Sequence, residues 1–77
     1  MIDVMKRYKN LSGGVRQYDI RPKSIVLEFT DGSVYEYTHD IPGEGHVREM
    51  TMLAERGYGL TTYVNQHVRE NYARKLR

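Results

Sequence analysis

The sequence predicts an α+β fold: a three-stranded antiparallel β-meander followed by two C-terminal helices packed on one face, in the order β-β-β-α-α. Three observations lead there. Residues 15–38 are rich in β-branched and aromatic side chains that alternate with polar ones. Asp31-Gly32 interrupts that stretch with a hairpin turn signal. From Val47 onward the apolar residues recur at helical spacing instead.

The strands come first. Ser24-Ile25-Val26-Leu27-Glu28-Phe29-Thr30 and Val34-Tyr35-Glu36-Tyr37 read as two strands joined at Asp31-Gly32. A third, Val15 to Ile20, precedes them and ends at the turn Arg21-Pro22-Lys23. A two-residue turn would pair Leu27 with Glu36 and set Glu36 on the face of Ile25, Leu27 and Phe29. A three-residue loop, Thr30-Asp31-Gly32, with Gly32 left-handed, shifts the pairing by one. Leu27 then faces Tyr35, Ile25 faces Tyr37, and Glu28 and Glu36 share the solvent side. Burial selects this second register, because a one-residue slip turns every side chain over.

Two helices are expected over residues 43–57 and 60–76. The first carries the stripe Val47, Met50, Leu53 and Ala54, an outward Glu44–Arg48 pair, and Gly57-Tyr58-Gly59 as its stop. The second carries Leu60, Val64, Val68, Tyr72 and Leu76, with Thr61 or Thr62 as its cap and Glu70–Arg74 as an outer pair. Both stripes require an apolar surface, and the sheet face of Ile25, Leu27, Phe29, Tyr35 and Tyr37 supplies it. Residues 1–14 form an N-terminal arm. Val4, Tyr8 and Leu11 suggest a helical turn or an irregular lead-in there, broken by Ser12-Gly13-Gly14.

At 77 residues the chain is one domain, burying roughly 60% of its unfolded surface. So small a core leaves little stability for a deep catalytic cavity. There is no cysteine, which removes disulfides, thiolate nucleophiles and cysteine metal sites and fits a cytoplasmic setting. No apolar run of signal-peptide or membrane-spanning length occurs, so neither export nor a membrane partner is expected.

The net charge of +2 is unevenly placed: +4 over residues 1–23, −5 over 24–60 and +3 over 61–77. The basic ends nominate a nucleic-acid site at Lys6, Arg7, Tyr8, Lys9, Arg69, Arg74, Lys75 and Arg77, where Tyr8 interleaves with cations. The alternative for the C-terminal cations is a solvated helix end favoured by the helix dipole. Tyr35 and Tyr37 would suit base stacking on an exposed sheet, but the register places them in the core. His39, Asp40, His46 and Glu49 form no established ligand pattern, so no metal or cofactor is expected. No serine or threonine has a base and orienter, and Gly43-Glu44-Gly45 lacks the Lys and Ser/Thr of a phosphate loop. No catalytic residue is nominated, and an enzyme is not expected.

Tyr18-Asp19, Ile25-x-Leu27-x-Phe29-x-x-Gly32-x-x-Tyr35-x-Tyr37 and Ile41-Pro42 together resemble the KTSC domain, the small domain found at the C-terminus of some lysyl-tRNA synthetases. Its central Tyr-x-Tyr is matched by Tyr35-Glu36-Tyr37. Ala54 with Gly57 matches part of its helix signature, and Val68 with Tyr72 matches its closing helix. Arg56 stands where that family usually has serine, and the interval from Gly57 to Val68 is longer. The resemblance implies a meander with helices and RNA binding. The expected function is therefore a small non-enzymatic module binding RNA or single-stranded nucleic acid. The alternative is a protein-interaction module, such as an adaptor or a phage-type inhibitor of a larger protein.

Overall fold

The computed structural model describes residues 5–9 and 14–77. The fold is α+β, and its sheet has five antiparallel strands in the order β1-β2-β3-β4-β5. These are β1 (Lys6–Arg7), β2 (Val15–Arg21), β3 (Ser24–Phe29), β4 (Val34–Thr38) and β5 (Arg74–Lys75). Helix α1 (Glu44–Arg56) follows β4, and α2 (Leu60–Tyr63) runs on directly as a π-helix over Val64–Val68. No helix among the described residues is long and apolar enough to cross a membrane.

The central hairpin has the expected register. Leu27 pairs with Tyr35 and Ile25 with Tyr37. Gly32 sits at φ 92°, the left-handed conformation that only glycine adopts without strain, and Phe29 N–H closes the loop on Ser33 O at 2.8 Å. Helix α1 is also as expected, with Val47, Met50, Leu53 and Ala54 buried, Arg48 paired to Glu44, and a left-handed Gly57 whose N–H caps Leu53 O.

The sheet itself is wider than the three strands expected, because both chain ends join it. Residues 60–76 do not form one helix. Leu60, Val64 and Val68 are buried as the stripe required, but the helix stops and the chain turns back along β4. The free edge of β4 presents unpaired backbone groups, and the C-terminal segment takes them: Ala73 N–H bonds Glu36 O at 2.8 Å, Leu76 N–H bonds Val34 O at 2.7 Å, and Val34 N–H bonds Arg77 O at 2.9 Å. Tyr72 and Leu76 therefore lie beyond the helix, and Leu76 is exposed. Thr61 is not a cap, since Gly59 holds that position; the Thr61 hydroxyl instead accepts Val15 N–H at 3.2 Å. In the arm, Lys6 and Arg7 pair with Tyr18 and Gln17 as a strand, not a helical turn. Val4, Leu11, Ser12 and Gly13 lie outside the described residues.

Glu28 and Glu36 do share the face away from the helices, but they are not solvent-facing. Each is only 6% exposed. Arg74 lies over Glu36 through both Nε and Nη2, displacing the expected Glu70–Arg74 pair, and Arg77 Nη2 reaches Glu28 Oε2 at 3.0 Å. Burial pushes the Glu36 carboxyl up, yet hydrogen bonds from Arg74 and Ser24 and the charges of Arg74 and Arg21 outweigh it, and the net shift is below the ordinary 4.5. A carboxyl lowered on folding stabilises above its ordinary value, and that stability is lost as pH falls through the lowered one. Arg74→Ala should therefore cost about 1–2 kcal/mol at neutral pH, the figure being modest because the guanidinium is largely exposed. Urea midpoints followed by circular dichroism should show the gap to wild type closing in acid. A gap indifferent to pH would assign the loss to packing of the Arg74 stem.

Candidate functional site

The helix side of the sheet holds the core, where Ile25, Leu27 and Tyr37 meet Met50, Leu53, Leu60, Val64 and Val68. Toward one end of that face the packing opens. Phe29 from β3, Tyr35 from β4 and Tyr72 from the segment before β5 are only partly buried against the core. They line a cleft of about 440 Å³ together with Asp31, Asn65, Arg69 and Glu70.

The rings form a connected set. Phe29 meets Tyr35 edge-on at 5.7 Å and 73°, and Tyr35 lies 4.4 Å from Tyr72 at 38°. Tyr72 in turn stands at 90° to the buried Tyr37, 6.5 Å away. Burial, with Tyr35 beside it, pushes the Tyr37 hydroxyl well above its ordinary value, and that hydroxyl bonds Arg69 O at 3.4 Å. The π-helix and the turn after it add Asn65 and Arg69 to the lining. Single π turns within helices recur at functional sites. Arg69 Nη1 donates to Asn65 Oδ1 at 2.8 Å, and Lys75 Nζ stands 5.9 Å over the Tyr35 ring. On the loop side, Asp31 Oδ1 accepts the Ser33 hydroxyl at 2.6 Å and its N–H at 2.9 Å, which hold the Asp31 carboxyl below its ordinary value.

The eight nominated residues separate into four groups. Arg69 lines the cleft, and Lys75 stands over the Tyr35 ring beside it. Arg74 and Arg77 are on the outward face, already paired to Glu36 and Glu28. Lys6, Arg7 and Lys9 belong to the other end of the sheet, since β1 and β5 are its opposite edges. Four strand spacings separate those edges, roughly 19 Å, so the basic ends do not merge into one patch. Tyr8 is fully buried, and its hydroxyl accepts Leu60 N–H at 2.9 Å. It is a core residue, closed to base stacking.

Phe29, Tyr72, Asn65 and Glu70 went unrecognised as site residues. Phe29 reads as core from its strand parity, and Tyr72 reads as the next residue of a helical stripe. A further polar cluster spans α1, α2 and the π-helix, where His46 Nδ1 lies 2.7 Å from the Tyr63 hydroxyl and the His67 ring lies 4.5 Å from that of Tyr63, tilted by 40°. Among the described residues no group of three or more His, Asp or Glu side chains is placed to hold a metal ion. No protein-family model, curated protein or solved structure matches this chain, so its likeness to the KTSC domain rests on the residues quoted above.

Proposed function

We propose that the protein is a small non-enzymatic module that binds single-stranded RNA, a cytoplasmic ligand, and that it does so through the aromatic cleft. The observation that carries this reading is the set of half-buried rings, Phe29, Tyr35 and Tyr72, with Arg69 and Lys75 beside them. Unpaired bases stack on such rings, and cations beside them take the phosphates. Two cations imply a short footprint and a shallow salt slope, near −1.4 in log affinity against log salt at about −0.7 per contact.

Fluorescence anisotropy with a labelled mixed-sequence RNA octamer tests it. Tyr72→Ala should weaken binding by roughly 5- to 150-fold, the worth of one stacked base. Arg69→Gln should reduce the slope by about 0.7. Lys6→Gln, at the far edge of the sheet, should change neither. No binding at low salt removes the reading.

A protein-interaction module is the second reading, favoured by the outward sheet face. No helix among the described residues covers it, and Met5, Val26, Val34 and Leu76 line a shallow depression there, together with Asp19, Arg21 and Arg77. Interleaved charges around an apolar centre suit a protein better than a phosphate chain. A specific partner that survives nuclease treatment in a pull-down would support it.

A further inference from the structure

The segment that brings Tyr72 and Lys75 to the cleft has almost no apolar anchor of its own. Arg74, Lys75, Leu76 and Arg77 are all exposed, and β5 is two residues long. Its backbone bonds to Glu36 and Val34 lie at the rim of the sheet, where such bonds open most readily. The stronger fastening is on the far face. Side chains alternate between faces along a strand, so one register sorts this segment both ways. Lys75 pairs with Tyr35 and belongs to the cleft side, whereas Arg74 pairs with Glu36 and belongs to the outward side. There Arg74 Nε donates to Glu36 Oε1 at 2.9 Å and Arg77 Nη2 to Glu28 Oε2 at 3.0 Å. The two carboxylate side chains are only 8% and 9% exposed, which makes each pair stronger than an ordinary surface contact. We propose that Glu28 and Glu36, with Arg74 and Arg77, are positioning residues for the cleft, acting across the sheet by holding Tyr72 and Lys75 beside Tyr35. The consequence for binding rests on the reading of the cleft as an RNA site; the placement itself does not.

The segment can also leave without stranding a buried charge. Glu28 accepts a further hydrogen bond from Gln17. Glu36 accepts one from Ser24 and has Arg21 Nη1 at 3.9 Å. Each carboxylate therefore keeps a partner when the segment departs, and the pairing of β2, β3 and β4 is untouched. The cleft loses far more. Tyr72 is the ring 4.4 Å from Tyr35, and Lys75 Nζ is the cation 5.9 Å over it. A cleft that is complete only while the segment is docked binds in proportion to the docked fraction. The outward ion pairs set that fraction although they touch nothing in the cleft.

Amide hydrogen exchange followed by NMR tests the placement with no ligand present. In Arg74→Gln/Arg77→Gln, two exposed substitutions compatible with folding, the Ala73 and Leu76 amides should exchange about tenfold faster. The α1 amides of Met50 and Leu53 should keep their wild-type rates. Unchanged rates at Ala73 and Leu76 would overturn the anchoring role. Equal acceleration in α1 would also overturn it, by showing that the pairs support the whole fold. Fluorescence anisotropy with the RNA octamer tests the consequence. Glu28→Gln/Glu36→Gln removes two negative charges, which by long-range attraction alone would tighten binding to a polyanion. Positioning requires the reverse, a weakening toward that of Tyr72→Ala, because an undocked segment takes that ring with it. Tighter or unchanged binding would overturn the coupling between the two faces. An octamer that fails to bind the wild-type protein would overturn the RNA-binding reading, and the exchange rates would still decide the placement.

Discussion

Tyr8→Ala is expected to remove a large part of the protein's stability. Tyr8 is among the largest side chains with no exposed surface, and truncating a buried aromatic residue to alanine costs about 3–5 kcal/mol. A domain of this length is stable by roughly 4–12 kcal/mol at 0.05–0.15 kcal/mol per residue, so the loss reaches the lower end of that range. Tyr8 also does something its size does not describe. Leu60 opens α2, and the first amides of a helix have no partner within the helix. Gly59 has no side chain to cap them, and the Tyr8 hydroxyl accepts the Leu60 N–H from 52 positions away. Tyr8→Phe keeps the ring and orphans that amide, so it should cost about 1–3 kcal/mol. Urea denaturation followed by circular dichroism separates the two contributions. A phenylalanine variant with the wild-type midpoint would show that the amide finds another acceptor, leaving Tyr8 a packing residue only.

Local signals made much of the fold legible. Asp31-Gly32 names its own turn, and burial of Leu27 and Tyr35 on one face selects the register of the hairpin it joins. Helix α1 announces itself by its stripe and its closing glycine. What escaped was decided between distant segments. Tyr72 and Leu76 continue a helical spacing perfectly well, but the open edge of β4 and the carboxylates of Glu28 and Glu36 draw the chain from Ala73 to Arg77 along β4, with Arg74–Lys75 as a fifth strand. Helix periodicity cannot report that competition, because the sheet edge is absent from a window around Tyr72. The cleft was missed for the same reason: Phe29, Tyr35 and Tyr72 come from three segments, and only the return of the chain after the π-helix puts the third ring beside the other two.

Gly14→Ala should destabilise the domain by about 2–5 kcal/mol, and two separable causes contribute. Gly14 sits at φ 82°, where a side chain costs about 1–2 kcal/mol. A Cβ there would also lie 2.2 Å from Thr61 Cγ2 and 2.8 Å from Thr61 Oγ1. Thr61 is not free to turn aside without loss, because its hydroxyl accepts the Val15 N–H that starts β2. Overpacking of this kind adds about 1–3 kcal/mol. Gly32 supplies the control. Its φ is 92°, but nothing lies within 4 Å of a Cβ placed on it, so Gly32→Ala should show the backbone cost alone. Thr61→Ser removes the methyl group that the new Cβ meets and keeps the hydroxyl, and it should recover part of the loss in the Gly14→Ala background. Urea midpoints of the single variants and the double variant decide the matter. Equal losses for Gly14→Ala and Gly32→Ala would mean that α2 moves away from β2 without cost, and that their approach through Thr61 does not constrain the fold.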